Sequence, residues 1–337
     1  MKKEVLTYLV CPHCKTQLEI QNIEKKEDEE IMEGKLFCRK CKLSFPVTKG
    51  IPRILLGRNY VLRKETKKNF AFSWKKFANI YEDPRDFLNW IYPKNESFFR
   101  NKVVLDAGCG TGKHALFASQ FGAKEVIAFD LSASVEVAFH FARLKKNIHV
   151  VQADIYQLPF KADFDYIYTI GVLQHLPDPE GGFKSLIQLL KKGGWSSIWV
   201  YGYEGTGLVR KVIDPIRKNV TSKMPLFFIF FLSLLLNLVF FPLAKGIYRP
   251  LSKFKITRRI LKILPMNSYI LYMSQFNFYY IFNSIFDQFI APITQYFHRE
   301  EIEEWLRKAG LKKTIITNRN DMSWRASGQK PADSLIS

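Results

Sequence analysis

Short apolar runs that end in an acid or a glycine recur along the middle of this chain. Val103-Val104-Leu105 leads into Asp106, Val126–Phe129 into Asp130, and the run from His149 into Asp154. Uninterrupted apolar runs of this length predict strands buried on both faces. Phe164–Gly171 predicts a fourth strand. Lys191–Trp195 reads as a turn, and Ser196–Tyr201 as a fifth strand. Between these runs the spacing becomes helical, which predicts an α/β fold with a doubly wound parallel sheet and a ligand at its carboxyl ends. Farther on, His298–Leu311 reads as an amphipathic helix closed by Gly310. Short strands around Lys313–Asn318 and Ser323–Gly328 should finish the sheet.

The turn after the first strand carries the chemistry. Asp106-Ala-Gly108-Cys-Gly110-Thr-Gly112 lets the backbone pass against a ligand and delivers it to a helix N-terminus. A dinucleotide-binding Gly-x-Gly-x-x-Gly would need glycine at position 113, where Lys113 stands. With Asp130 and Asp154 at their spacings, the unit resembles the first motifs of class I S-adenosylmethionine (SAM) methyltransferases of the ubiquinone/menaquinone type. That resemblance covers 101–204 and resumes near 286–330. It implies a Rossmann-like seven-stranded methyltransferase sheet and a SAM site built from Asp106, Gly108, Gly110, Gly112, Asp130, Leu131, Asp154, Ile155 and Gly171. By the same resemblance, Asp130 would take both ribose hydroxyls, a bidentate role that suits a carboxylate. Asp154 would meet the adenine amino group, and Ile155 would pack on the adenine face. Taken singly, each acid could equally be a strand-end cap.

The loop Gly171-Val-Leu-Gln-His175-Leu-Pro-Asp-Pro179 resembles the family's substrate-facing loop. His175 is the candidate general base for a hydroxyl or phenol acceptor. A structural role shaping the pocket stays open beside it. Tyr201, Tyr203, Tyr296 and His298 are further pocket candidates, and Phe286–Pro292 with Gln295–His298 resembles a substrate-side segment.

Residues 1–56 form a separate module. Cys11-Pro-His-Cys14 and Cys38-Arg-Lys-Cys41 are two Cys-x-x-Cys knuckles separated by the 23 residues 15–37. Four thiolates at this spacing suit structural Zn²⁺ with no open coordination position. Disulfides are the alternative, disfavoured because no secretory leader precedes the pairs and methyl-donor chemistry is intracellular. His13 reads as a bystander, and Cys109 as a small residue in the glycine loop. The run from Leu43 to Leu56 makes the module resemble the small zinc-ribbon proteins that activate methyltransferases of tRNA, rRNA and release factors. A module this small has a marginal core, so the metal should fold it. Residues 57–100 read as a helical linker or cap, with Phe70, Phe72, Trp74 and Phe77 too dense for a loose tether.

Residues 205–297 form an insertion, hydrophobic, basic and helical, between the core at 101–204 and its completion at 298–330. Met224–Ala244 carries no charge, and Ile263–Phe286 is a second, more polar uncharged run. Around them stand Arg210, Lys211, Arg217, Lys218, Lys223, Lys245, Arg249, Lys253, Lys255, Arg258, Arg259 and Lys262, opposed within 208–263 by Asp214 alone. Because residues after 298 must rejoin the sheet begun at 103, a single membrane crossing is excluded. Two crossings would satisfy that constraint, but Ser233, Asn237 and the polar residues of the second run argue against two clean spans. The expectation is an interfacial or re-entrant lid, or a soluble helical cap. The formal net charge of +20 fits an anionic membrane or RNA.

Two function classes follow. One is a cytoplasmic, peripherally membrane-associated methyltransferase for a hydrophobic or lipid-like acceptor. The other is an RNA or protein methyltransferase that grips its substrate with the ribbon and basic surface. Gly171-Val-Leu-Gln in place of an Asn/Asp-Pro-Pro-Tyr/Phe motif argues against amino-nitrogen methylation. A non-catalytic scaffold is the third reading, and the intact SAM motifs weigh against it.

Overall fold

The computed structural model describes residues 1–57 and 83–332, except 262, 265 and 292. The expected aromatic cap at Phe70–Phe77 therefore lies outside the described residues. Among the described residues eleven strands form one sheet: β1 (Glu19–Glu27), β2 (Glu30–Phe37), β3 (Ser44–Thr48), β4 (Ile51–Ile54), β5 (Val103–Ala107), β6 (Glu125–Asp130), β7 (Ile148–Ala153), β8 (Phe164–Ile170), β9 (Leu190–Tyr201), β10 (Lys312–Arg319) and β11 (Ser323–Gln329). Their order is β1-β2-β3-β4-β7-β6-β5-β8-β9-β11-β10. Seven strands make the Rossmann-like methyltransferase sheet, parallel from β7 to β9 and closed by the antiparallel pair β11 and β10. Every residue of β5 is buried, as its apolar run requires.

The other four strands belong to the ribbon, whose β4 runs parallel to β7 with Arg53 opposite Gln152 and Ile54 opposite Ala153. The seam is reinforced away from the strand. Val10 N–H donates to Pro159 O at 2.8 Å, Lys161 N–H to Tyr8 O at 2.9 Å, and Arg53 pairs with Glu136 at 3.1 Å. Leu9, Leu36, Phe45 and Ile54 share one core with Val151 and Phe160. Gly50, at φ +76°, lies so close to the Phe139 ring that a Cβ would sit 2.3 Å from it. The ribbon is thus an extension of the catalytic sheet.

Helices cover both faces: α1 (Pro84–Trp90), α2 (Lys113–Gln120), α3 (Val135–Ala142), α4 (Pro179–Gln188) and, after the insertion, α9 (Arg299–Lys308). The insertion contributes α5 (Asp214–Asn219), α6 (Leu226–Pro242), α7 (Asn267–Met273) and α8 (Phe278–Ile290). A wider turn at Leu243–Tyr248 prolongs α6 into one helical run of 26 residues, Leu226–Leu251. Its inner side packs on α8, with Phe230 4.9 Å from Phe282 between ring centroids. Ser233 and Asn237, polar interruptions in the apolar run, point into this seam, and Asn237 Nδ2 donates to Phe278 O. The insertion ends where it began, because Gly202 bridges Phe297 and Tyr203 N–H donates to Phe297 O at 2.9 Å.

Candidate active site

Chain order reverses on either side of β5, whose neighbours are β6 and β8. That switch point opens a crevice at the carboxyl ends of the strands, the place where open α/β sheets bind ligands. Four loops meet there, those after β5, β6, β7 and β8. Gly108 and Cys109 N–H groups both donate to Phe129 O, at 2.8 and 2.9 Å, which ties the glycine loop to β6. Gly108, Gly110 and Gly112 all have positive φ. At Gly108 a Cβ would lie 2.3 Å from Val172, so the loop is also seated against the substrate-side turn.

The three acids occupy distinct environments. Asp106 is buried, and burial pushes its carboxyl up to about 7, with nearby His114 opposing the shift. Among the described residues its Oδ2 has no hydrogen-bond partner. Asp130 accepts from Gly110 N–H at 3.0 Å and Ser132 N–H at 2.7 Å. A carboxylate has about four lone-pair sites, which leaves room for two hydroxyl donors. Asp154 accepts from Tyr156 N–H at 3.0 Å. Leu131 lies beside Asp130 with its carbonyl held by Gln152 Nε2 at 2.9 Å. Ile155 is buried in the main core, and Gly171, at φ +73°, donates its N–H to Trp199 O. A buried carboxyl with one oxygen unpartnered among the described residues, a loop that excludes side chains and acids on adjacent strand ends fit SAM. Cys109 is buried with its thiol pushed up by that burial, in keeping with a spacer role.

The half of the crevice beyond Gly171 is aromatic and roofed by the insertion. His175, Trp199, Tyr201 and Tyr296 form a chain of rings, with Tyr201 5.8 Å from His175, 5.4 Å from Trp199 and 5.9 Å from Tyr296 between centroids. Gln288 on α8 donates to the Tyr201 hydroxyl at 3.2 Å, and Gln295 N–H donates to Gln174 O at 2.9 Å. His175 Nδ1 lies 2.7 Å from Ile293 O, so Nδ1 carries the proton in the neutral ring. Burial, with Arg217 nearby, lowers the His175 pKa to about 4, partly offset by the Ile293 hydrogen bond. The other two candidates sit at the rim, where Tyr203 and His298 pack ring to ring at 4.0 Å and His298 pairs with Glu204.

Sequence reasoning missed the polar centre of this half. Arg217 was grouped with cations facing an anionic surface, but the structure buries it, 1% exposed, against Asp214. Asp214 also accepts from the Tyr296 hydroxyl at 3.0 Å, and Arg217 Nη1 donates to Gln288 O at 3.3 Å. The correction has a simple cause: an ion pair three residues apart on one helix turn satisfies itself and can be buried. The available signal was Asp214 as the lone acid among so many cations.

His175 makes a pH prediction. Its folded pKa lies below the value of about 6.5 for an unfolded histidine, so the unfolded chain binds the extra proton. Stability is expected to fall as pH drops from about 6.5 toward 4, and this slope should flatten in His175→Asn. Thermal melts across that range check it; identical slopes in the two proteins would contradict the buried neutral imidazole.

In the ribbon, one ligand atom from each of Cys11, Cys14, Cys38 and Cys41 lies within 4.8 Å of every other, and Cys14 and Cys38 Sγ are 3.5 Å apart. A tetrahedron with Zn–S bonds of about 2.3 Å has edges of about 3.8 Å, so the set fits Zn²⁺. The knuckles are alike in backbone. Lys15 and Lys42, at φ +59° and +58°, donate N–H to Cys11 O and Cys38 O, both at 2.9 Å. No cysteine pair is disulfide-bonded. A hollow of about 430 Å³ lined by Glu96, Arg100, Gln120 and Gly122 lies at the amino-terminal end of the sheet, away from this chemistry.

Residues 104–194 match the family described as methyltransferase domain, and residues 2–50 match the Trm112p-like protein family. Residues 104–194 therefore carry a methyltransferase domain. Among similar proteins is a tRNA U34 carboxymethyltransferase of Nautilia profundicola, 34% identical over 113 residues, 33% of this chain and 38% of that protein. A protein of the same name from Helicobacter pylori is 29% identical over 153 residues, 43% of this chain and 57% of its own length. The chain thus spans from about a third to somewhat over half of the relatives it matches. Magnesium protoporphyrin IX methyltransferase from Synechocystis, solved with SAH, has a TM-score of 0.47 at 14% identity, with 81% of this chain and all of that one covered.

Proposed function

We propose that this methyltransferase acts on RNA, with the ribbon and the basic flank of the catalytic unit gripping the macromolecule. The observation that carries the reading is the ribbon's place in the sheet: a Trm112p-like module pairs strand to strand with β7, beside the Asp154 corner. The names of the relatives of the catalytic core, tRNA U34 carboxymethyltransferases, support the same acceptor class. SAM, when bound, supplies an electrophilic methyl group. Asp130 would hold the ribose, Asp154 the adenine, and the glycine loop with Asp106 the rest of the cofactor. Trp199, Tyr201 and Tyr296 would offer ring surfaces to an extruded base, and His175 would be the general base.

One observation favours a second reading. The acceptor half is aromatic and roofed by α8, a setting that suits a hydrophobic or lipid-like small molecule as well. Labelled SAM added to an extract of source cells separates the two. Label is expected in RNA, lost by at least about a hundredfold in Asp130→Ala, whose two charge-assisted hydrogen bonds contribute about 3 kcal/mol or more. Label confined to the organic-solvent fraction would sink the RNA reading and establish the second.

A further inference from the structure

We propose that the helical run Leu226–Leu251 lies in the plane of an anionic membrane and holds the enzyme at its surface. Among the described residues this is the one helix long and apolar enough to cross a bilayer. It does not cross. The chain leaves the sheet at Gly202 and rejoins it at Phe297 through a direct bridge, so both ends of the insertion are on one side. A run of 26 residues is about 39 Å long, and no second described helix of that kind brings the chain back. A helix bound to return by this route can rest in the interface, with one face in the lipid.

The face itself points to lipid. A soluble cap would bury its apolar side, and here only the Ile229/Ser233/Asn237 side is buried, against α8. Phe227, Phe228, Leu235, Leu238 and Val239 remain outside, with Phe227 64% and Val239 69% exposed. The patch continues onto the preceding segment, where Leu208, Val212, Ile216 and Val220 form an exposed stripe at intervals of four. Exposed apolar surface of this extent marks a binding face. RNA would use the neighbouring cations but has no use for the phenylalanines and leucines.

The rim supplies the charge complement. Lys218 and Lys223 precede the helix and Arg249, Lys253, Lys255 and Arg259 end or follow it, all exposed. From residue 215 to 286 the chain has no Asp or Glu. Each such cation contributes about fivefold in partition onto an anionic leaflet, and the contribution weakens with salt. This docking does not rest on the identity of the acceptor, since it concerns the exposed apolar face of the insertion and the RNA reading concerns the ribbon, the basic flank of the catalytic unit and the cleft.

The test is co-sedimentation of the full-length, zinc-loaded protein with vesicles of phosphatidylcholine alone or with 30% phosphatidylglycerol, roughly the anionic content of an attractive leaflet. The protein is expected to pellet with the anionic vesicles and to be released in part by high salt. Phe228→Ser/Leu235→Ser/Val239→Ser should weaken partition by about thirtyfold or more while leaving SAM affinity unchanged. Lys223→Gln/Arg249→Gln/Lys253→Gln should weaken it on anionic vesicles alone. The proposal is overturned if the protein stays in the supernatant with both vesicles. It is equally overturned if light scattering shows a dimer that the serine variant dissolves, or if the glutamine variant loses tRNA retention on filters with vesicle binding unchanged.

Discussion

Removal of zinc from the ribbon is expected to unfold residues 1–57 and to destabilise the catalytic unit with them. Structural zinc in small modules contributes an apparent 10–16 kcal/mol, roughly, more than the short strands β1–β4 can supply alone. The ribbon's apolar residues are few, and Leu9, Leu36, Phe45 and Ile54 are buried partly against Val151 and Phe160 of the catalytic unit. Losing the ribbon would bare the β7 edge and those side chains. Asp154 follows β7 directly, and Lys15 Nζ holds Leu158 O at 2.9 Å, so SAM affinity should fall as well. Cys38→Ser, or a chelator with a colorimetric zinc readout, should therefore give a lower and less cooperative melt. Complete zinc loss with an unchanged melt would show that the cysteines are not structural.

Much of this architecture is legible because burial on both faces leaves an unmistakable trace. Val103–Leu105, Val126–Phe129 and Ile148–Ala153 had to be central strands, and the acids at their ends mark the crevice. Position 190–195 reads differently in sequence and structure. Lys191–Trp195 has the composition of a turn, yet β9 begins at Leu190. Lys330 explains it: Gly193 N–H donates to Lys330 O and Lys330 N–H to Gly194 O, so the distant C-terminal segment holds the two glycines in the ladder, with Gly193 at φ +77°. A Cβ at Gly194 would sit 2.9 Å from Lys191 O and 3.0 Å from Phe164 O. Such non-local pairing has no local signature. Nor does the docking of β4 on β7, whose ladder is made by backbone groups any sequence carries; Gly50 and the Arg53–Glu136 pair are specific traces of it. The insertion hid its inner face because Ser233 and Asn237 look like interruptions of an apolar span, when in fact they define the side turned toward α8.

Of single changes in the insertion, Asp214→Ala is expected to have the largest effect, a loss of about 3–5 kcal/mol in unfolding free energy. The substitution would strand the Arg217 guanidinium, 1% exposed, with the Gln288 carbonyl as its remaining hydrogen-bond partner among those described. It would also free the Tyr296 hydroxyl, which donates to Asp214 and whose ring stacks on Tyr201. Asp214→Asn keeps an acceptor but not the charge and should fall between. The double variant Asp214→Ala/Arg217→Met should recover most of the loss, because the penalty arises from an unpaired buried charge and not from the value of the pair itself. Urea denaturation of the unsubstituted protein, Asp214→Ala, Arg217→Met and the double variant measures this cycle. If the double variant is as unstable as the sum of its parts, the two residues act separately. If it recovers stability but not acceptor turnover, the pair is retained to set Tyr296 and Tyr201 in place, which makes the insertion part of the active site as well as its roof.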